Sequence, residues 1–109
     1  MKRMEFKVIF SEEAGQDLED IFRYIADTLL EPITARKKTE RLEKSAYSLD
    51  FMPLRYKVYD REPWKSQGYR VFSVEKYNIL YYPDESKKTV TIIRIIHGSV
   101  FDQKLSVKN

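Results

Sequence analysis

Residues 69–97 read YRVFSVEKYNILYYPDESKKTVTIIRIIH. Three runs rich in β-branched and aromatic residues, 69–74, 77–82 and 89–97, are separated by Glu75-Lys76 and by the polar segment 83–88. Such runs, bounded by turn residues, are strands, and the short spacers make consecutive strands antiparallel neighbours. The stretch therefore predicts a β-meander that Gly98-Ser99 brings to an end. Alternation along its last strand groups Thr91, Ile93, Ile95 and His97 on one face and Ile92, Arg94 and Ile96 on the other. Arg94 and His97 then point apart unless a bulge intervenes. Arg94 reads as structural, with its stem on isoleucines and its head at an edge.

Upstream of the meander, MEFKVIF (4–10) is a further strand, and Ser11 is placed to cap a helix whose first turn holds Glu12 and Glu13. Ala14, Leu18, Ile21, Ile25 and Leu29 recur at spacings of three and four, the stripe of an amphipathic helix, widened by Phe22 and Ala26. Pro32 opens a second helix running to about residue 50, with Ala35, Leu42, Ala46 and Leu49 on its apolar side. The short break makes an antiparallel helical hairpin. The first helix is acidic, with seven acids and one base in residues 11–31, and the second is basic. After Pro53, RYKVYD (55–60) is expected as another strand and REPWKSQG (61–68) as a loop. Phe101, Leu105 and Val107 are expected to anchor the tail. The fold class is α+β: strand, helical hairpin, then antiparallel meander, with the hairpin on one sheet face, the other face open to solvent or ligand, and residues 1–109 in one domain.

The 109-residue chain is long enough for a hydrophobic core and holds no cysteine, which excludes disulfides, thiolate catalysis and cysteine metal sites. Its one histidine leaves no second to share a metal, and no phosphate loop, GxSxG or HExxH motif occurs. No cofactor is expected. No apolar run approaches a membrane span and residues 1–10 do not form a signal peptide, so a soluble cytoplasmic protein with no membrane partner is the expectation.

Net charge is +3, but residues 55–70 concentrate five bases, Arg55, Lys57, Arg61, Lys65 and Arg70, between Tyr56, Tyr59, Trp64 and Tyr69. Bases interleaved with aromatics suit nucleic acid, so these five are candidate RNA-binding residues; a plain RNA-binding domain is one reading, and a merely solvated surface the other. Metal-independent RNA cleavage needs a base, cations for the developing phosphorane charge and an acid. Arg70, just after Gly68, and Lys57, on the expected neighbouring strand, could meet the phosphate. His97 could move a proton.

GYRVFSVEKYNILYY followed by a charged turn and TVTIIRIIHG resembles the C-terminal meander of the RelE/ParE toxin superfamily, and EEAGQDLEDIFRYIAD with the basic second helix is similar to its helical hairpin. The resemblance spans residues 4–105. It implies the toxin of a type II toxin–antitoxin module, held inactive by a cognate antitoxin. RelE-like members cleave mRNA on the ribosome; ParE-like members inhibit DNA gyrase without that catalytic set. Arg70 matches the arginine of a Gly-Tyr-Arg motif in the RelE branch and Lys57 its first lysine, with Tyr59 where a second lysine often stands. Val100 occupies the place of the usual arginine after His-Gly, and no tyrosine follows Tyr82. The long hairpin is as in the ParE branch.

Overall fold

In the computed structural model, which describes residues 5–106, β1 (Lys7–Phe10) leads into α1 (Glu12–Arg23), a π-helical turn (Tyr24–Thr28) and α2 (Pro32–Tyr47). Short 3₁₀ turns at Ser48–Asp50 and Pro53–Arg55 precede β2 (Arg70–Val74), β3 (Tyr77–Asp84) and β4 (Thr89–His97). A last 3₁₀ turn, Gly98–Val100, runs into α3 (Phe101–Leu105). The sheet order is β1-β4-β3-β2, with β1 parallel to β4 and the meander antiparallel. Val107 lies outside the described residues.

Ser11 ties the first strand and first helix to the sheet. Its Oγ accepts from the Ala14 N–H at 3.0 Å, capping α1, and donates to the Ile93 carbonyl of β4 at 2.9 Å. The helical hairpin covers one sheet face. Ala14, Leu42, Ala46 and Leu49 meet Phe72, Ile79, Tyr81, Val90, Ile92 and Ile95 there, with Val8, Phe10, Leu18 and Ile21 at the margin. Lys38 and Arg41 of α2 reach Glu75 in the β2–β3 turn at 3.0 and 3.2 Å and fasten the hairpin to the end of the sheet.

The opposite face is closed rather than open. Phe101 and Leu105 of α3 bury themselves there with Tyr59, Val71, Leu80 and Ile96, and Trp64 and Ile93 flank them. Two of the three expected tail anchors therefore do that work, because this face of the meander is as apolar as the other.

Three local expectations are corrected. First, Leu29 does not join the helical stripe: it is exposed, whereas Ile25 is buried. The π-turn adds a residue to one turn of the helix and rotates everything after Ile25 off the core-facing line. Second, β4 carries a bulge. Leu80 pairs with Arg94 but Tyr81 with Ile92, which leaves Ile93 as the extra residue. Ile92 and Ile95 consequently share the helix-facing side and Ile93 faces α3. Third, residues 55–60 do not form a strand; a single bridge, Val58 to Arg70, joins them to the sheet.

The aromatic core has a pH signature. Burial pushes the hydroxyls of Tyr81 and Tyr59 from the usual 10 up to about 12, with the hydrogen bond to Asp102 adding to the effect at Tyr59. The unfolded chain then ionises before the folded one. Stability is expected to be intact below pH 10 and to fall as the pH rises from 10 to 12. Urea midpoints across that interval check it; Tyr81→Phe should flatten the decline, and an unchanged slope would contradict the assignment.

Candidate functional site

The segment after α2 is held by side chains rather than by a strand ladder. Met52 turns the chain with a left-handed backbone (φ 49°), and Pro53 starts the 3₁₀ turn. The Tyr81 hydroxyl, rising from the core, donates to the Pro53 carbonyl at 2.6 Å. Arg70 Nη1 donates to the carbonyls of Leu54 and Tyr56 at 3.2 and 2.5 Å. Tyr56 stacks on Phe72 with ring centroids 4.2 Å apart, and the Arg55 guanidinium lies over its outer face at 4.8 Å. Tyr56 thus spends its side chain on packing against the sheet. Its carbonyl goes to an arginine instead of to a neighbouring strand, and strand pairing stops at the Val58 bridge.

Between this segment and α3 lies an open cleft of about 760 Å³, whose polar lining includes Arg55, Lys57, Tyr59, Arg61, Asn78 and Asp102. The Tyr59 hydroxyl donates to Asp102 Oδ1 at 2.6 Å, and Arg61 approaches Oδ2 of the same carboxylate at 3.5 Å. Three of the five cations singled out in residues 55–70 therefore share one cleft. Lys65 instead pairs with Asp60 at 3.2 Å, and Arg70 faces the carbonyls it braces.

His97 lies elsewhere. It pairs across the sheet with Tyr77, whereas Arg70 pairs with Tyr81. The two sites are four positions apart along β3, roughly 13 Å, and on opposite flanks of that strand. The exposed imidazole packs edge-on against Tyr77 at 5.4 Å, and its Nδ1 accepts the Ser99 N–H at 3.1 Å, capping the last 3₁₀ turn. It borders a separate cavity of about 540 Å³ shared with Asp20, Tyr24, Tyr77, Val100 and Lys104. Val100, in the place expected for an arginine, lines this cavity with His97 and packs against the Phe101 cluster. Arg70, Lys57 and His97 do not converge.

Arg94 behaves as read. Its Nε and Nη2 donate to Asp17 Oδ2 and Oδ1 at 2.8 and 3.0 Å, and Oδ2 also accepts the Ile95 N–H at 2.8 Å. This hydrogen bond holds the Arg94 guanidinium above its usual range. β1 ends at Phe10, so the edge of β4 beyond Ile92 lacks a strand neighbour, and the Asp17 carboxylate covers it. Counting Asp17 only among the acids of the first helix missed this role. The available signal was the position of Asp17 beside Leu18, between Ala14 and Ile21 on the flank of the apolar stripe.

Residues 8–100 match the family model of the ParE toxin of the type II toxin–antitoxin system parDE. The chain belongs to the ParE toxin family. No curated protein matches this ParE-family toxin at a significant level. Among solved structures, it is similar to the chromosomal ParDE system from P. aeruginosa, with a TM-score of 0.70 at 18% identity, covering 86% of this chain and 97% of that one. It is also similar to the RelBE2 toxin–antitoxin complex from Mycobacterium tuberculosis, with a TM-score of 0.66 at 26% identity, covering 88% and 94%. The α+β fold expected from the sequence, with a hairpin over a four-stranded sheet, is the one these toxin systems share. Among the described residues, no helix is long and apolar enough to cross a membrane.

Proposed function

We propose that this toxin arrests growth by binding its target rather than by cutting RNA, that the target is DNA gyrase, and that a cognate antitoxin holds the protein inactive in the cytoplasm. The observation that carries this reading is the dispersal of the candidate catalytic groups. Phosphate cleavage requires cations and a proton donor within hydrogen-bond reach of one reacting centre. Here Arg70 donates to two backbone carbonyls, Lys57 lines the cleft next to it, and His97 caps a turn at the far end of β3, away from both. The family match is to ParE toxins, which agrees with a non-catalytic mode. An antitoxin partner is supported by the two similar structures, both of toxin–antitoxin systems.

The competing ribonuclease reading has one specific observation in its favour: Arg55, Lys57 and Arg61 share a cleft with aromatic walls that could hold a nucleotide strand. Two assays on the purified protein separate the readings. Supercoiling of relaxed plasmid by purified gyrase is expected to be inhibited. Primer extension on a translated message is expected to show no codon-phased cleavage, with Val100→Arg equally inert because position 100 lines the cavity of His97, at the other end of β3 from Arg70. Arg70→Ala should lower the Tm by loosening residues 53–56 while the folded protein still inhibits gyrase. Cleavage by the unaltered chain, abolished in Arg70→Ala without a change in Tm, would overturn the proposal.

A further inference from the structure

The two edges of the sheet differ. At β2, the Val71 N–H donates to the Lys57 carbonyl and the Tyr59 N–H to the Tyr69 carbonyl, so residues 57–59 occupy part of that edge. At β1 the strand is bare. Lys7 and Ser11 give their N–H groups to the Lys88 and Ile92 carbonyls, so the odd-numbered residues of β1 face β4 and the even-numbered ones face outward. Phe6 agrees with this, donating outward to the Asp50 carbonyl at 2.7 Å. Beyond it, the outward N–H and C=O groups of Val8 and Phe10 have no partner among the described residues. Such an edge is a template for another strand unless lysine, proline, a bulge or a covering segment blunts it. Lys7 stands at its start, and Val8-Ile9-Phe10 holds none of these. Ile9 projects from the sheet face that α3 closes elsewhere, lies outside that apolar cluster and is 41% exposed. On the hairpin face, Phe10 carries the half-exposed ring of Tyr47 at 5.3 Å.

We infer that β1 pairs with β1 of a second copy of this chain, antiparallel about a two-fold axis at Ile9, joining the two four-stranded sheets into one. The edge is its own complement in this register. Val8 of each copy stands opposite Phe10 of the other, and the outward N–H and C=O groups of each meet the C=O and N–H groups of the other. Ile9 meets Ile9 on the axis as a non-hydrogen-bonded pair, the closest kind of cross-strand contact, and both exposed side chains leave water. Lys7, the one charge on the strand, faces Ser11, and the two Lys7 side chains are roughly 13 Å apart along the strands, so no like charges oppose each other. The register centred on Val8 is blocked, because it puts Phe10 of the second copy where the Asp50 carbonyl already binds Phe6. Any extended peptide could satisfy the backbone groups. The side chains favour a second copy, since they set an apolar residue on the axis and displace the charge from it. β2 is the opposite edge, so the cleft of residues 55–61 stays open at both ends of the joined sheet.

Sedimentation of the purified chain is expected to show a concentration-dependent dimer. Ile9→Lys sets like charges opposite each other at an exposed position. It should leave the circular dichroism unchanged and raise the dimer dissociation constant at least about tenfold. Ile9→Lys mixed with Ile9→Glu should dimerise again. The chain has no cysteine, so Ile9→Cys introduces a single thiol. Two such thiols on the axis come within disulfide range, and mild oxidation should link the copies covalently, whereas Lys7→Cys, too far from its mate, should stay unlinked. A chain that remains monomeric at its highest soluble concentration would overturn the inference. So would a dimer that withstands Ile9→Lys and is linked no better through Ile9→Cys than through Lys7→Cys, since that dimer uses another surface. A monomer whose Val8 and Phe10 amides gain protection from hydrogen exchange only in complex with the antitoxin would overturn it in favour of a strand of that partner. Gyrase inhibition enters none of these readouts, so the inference stands or falls separately from the proposed function.

Discussion

Ile25→Ala is expected to lower the unfolding free energy by about 3 kcal/mol, while Leu29→Ala, four residues on, should change it by less than about 0.5 kcal/mol. On a uniform α-helix the two would be equivalent, both on the stripe that begins at Ala14. The π-turn breaks the equivalence. Ile25 keeps 4% of its surface exposed within the π-turn that contacts α2, so truncation removes buried methylenes and leaves a cavity. Leu29 is 46% exposed, and its truncation removes little from water that was not already there. For a domain of this size the Ile25→Ala loss corresponds to a drop in Tm of roughly 15 °C. Thermal and urea unfolding of the two variants side by side make the comparison. Equal losses would mean that the helix continues unbroken through Leu29.

Asp17→Ala is the second large effect, expected at about 2–3 kcal/mol. It removes three hydrogen bonds at once, two from the Arg94 guanidinium and one from the Ile95 N–H. What remains is a partly buried cation without its partner and an open strand edge, and unpaired polar groups cost more than the bonds themselves contribute. The figure is kept below that of a fully buried pair because Arg94 retains 27% exposure and water can partly replace the carboxylate. Asp17→Asn keeps an acceptor for the Ile95 N–H and should lose about half as much. A double-mutant cycle with Arg94→Ala separates the ion pair from the edge contact: the coupling should be large, and the loss remaining for Asp17→Ala in the Arg94→Ala background reports the Ile95 bond alone. A loss for Asp17→Ala of under 0.5 kcal/mol would show that the strand edge does not depend on it.

These two sites show where a local reading stops. Asp17 and Arg94 are 77 residues apart and meet only because α1 crosses the edge of β4. Leu29 follows the same periodicity as Ile25, and nothing in its immediate neighbours marks the extra residue in the preceding turn. The Ile93 bulge is likewise invisible in a run of isoleucines, since every register of that run is equally apolar.

The candidate site divides in the same way. The cations of residues 55–70 and the lone histidine stand out as residue types, and their charge, spacing and aromatic neighbours can be read directly. Their partners cannot. Arg70 is bound to the Leu54 and Tyr56 carbonyls because Tyr56 leaves strand pairing to stack on Phe72, a choice set by the sheet surface beneath it.

By itself the sequence determined the meander, the capped acidic helix, the basic second helix and the resemblance to a toxin superfamily, because turn residues, caps and hydrophobic periods act over a few neighbouring residues. Tertiary structure alone decided the parallel pairing of β1 with β4, the closure of the second sheet face by α3, the outward turn of Leu29 and Leu30, and the separation of Arg70 from His97. Each of these depends on which distant surfaces bury one another, and that is settled by the packing of the whole chain rather than by any local pattern.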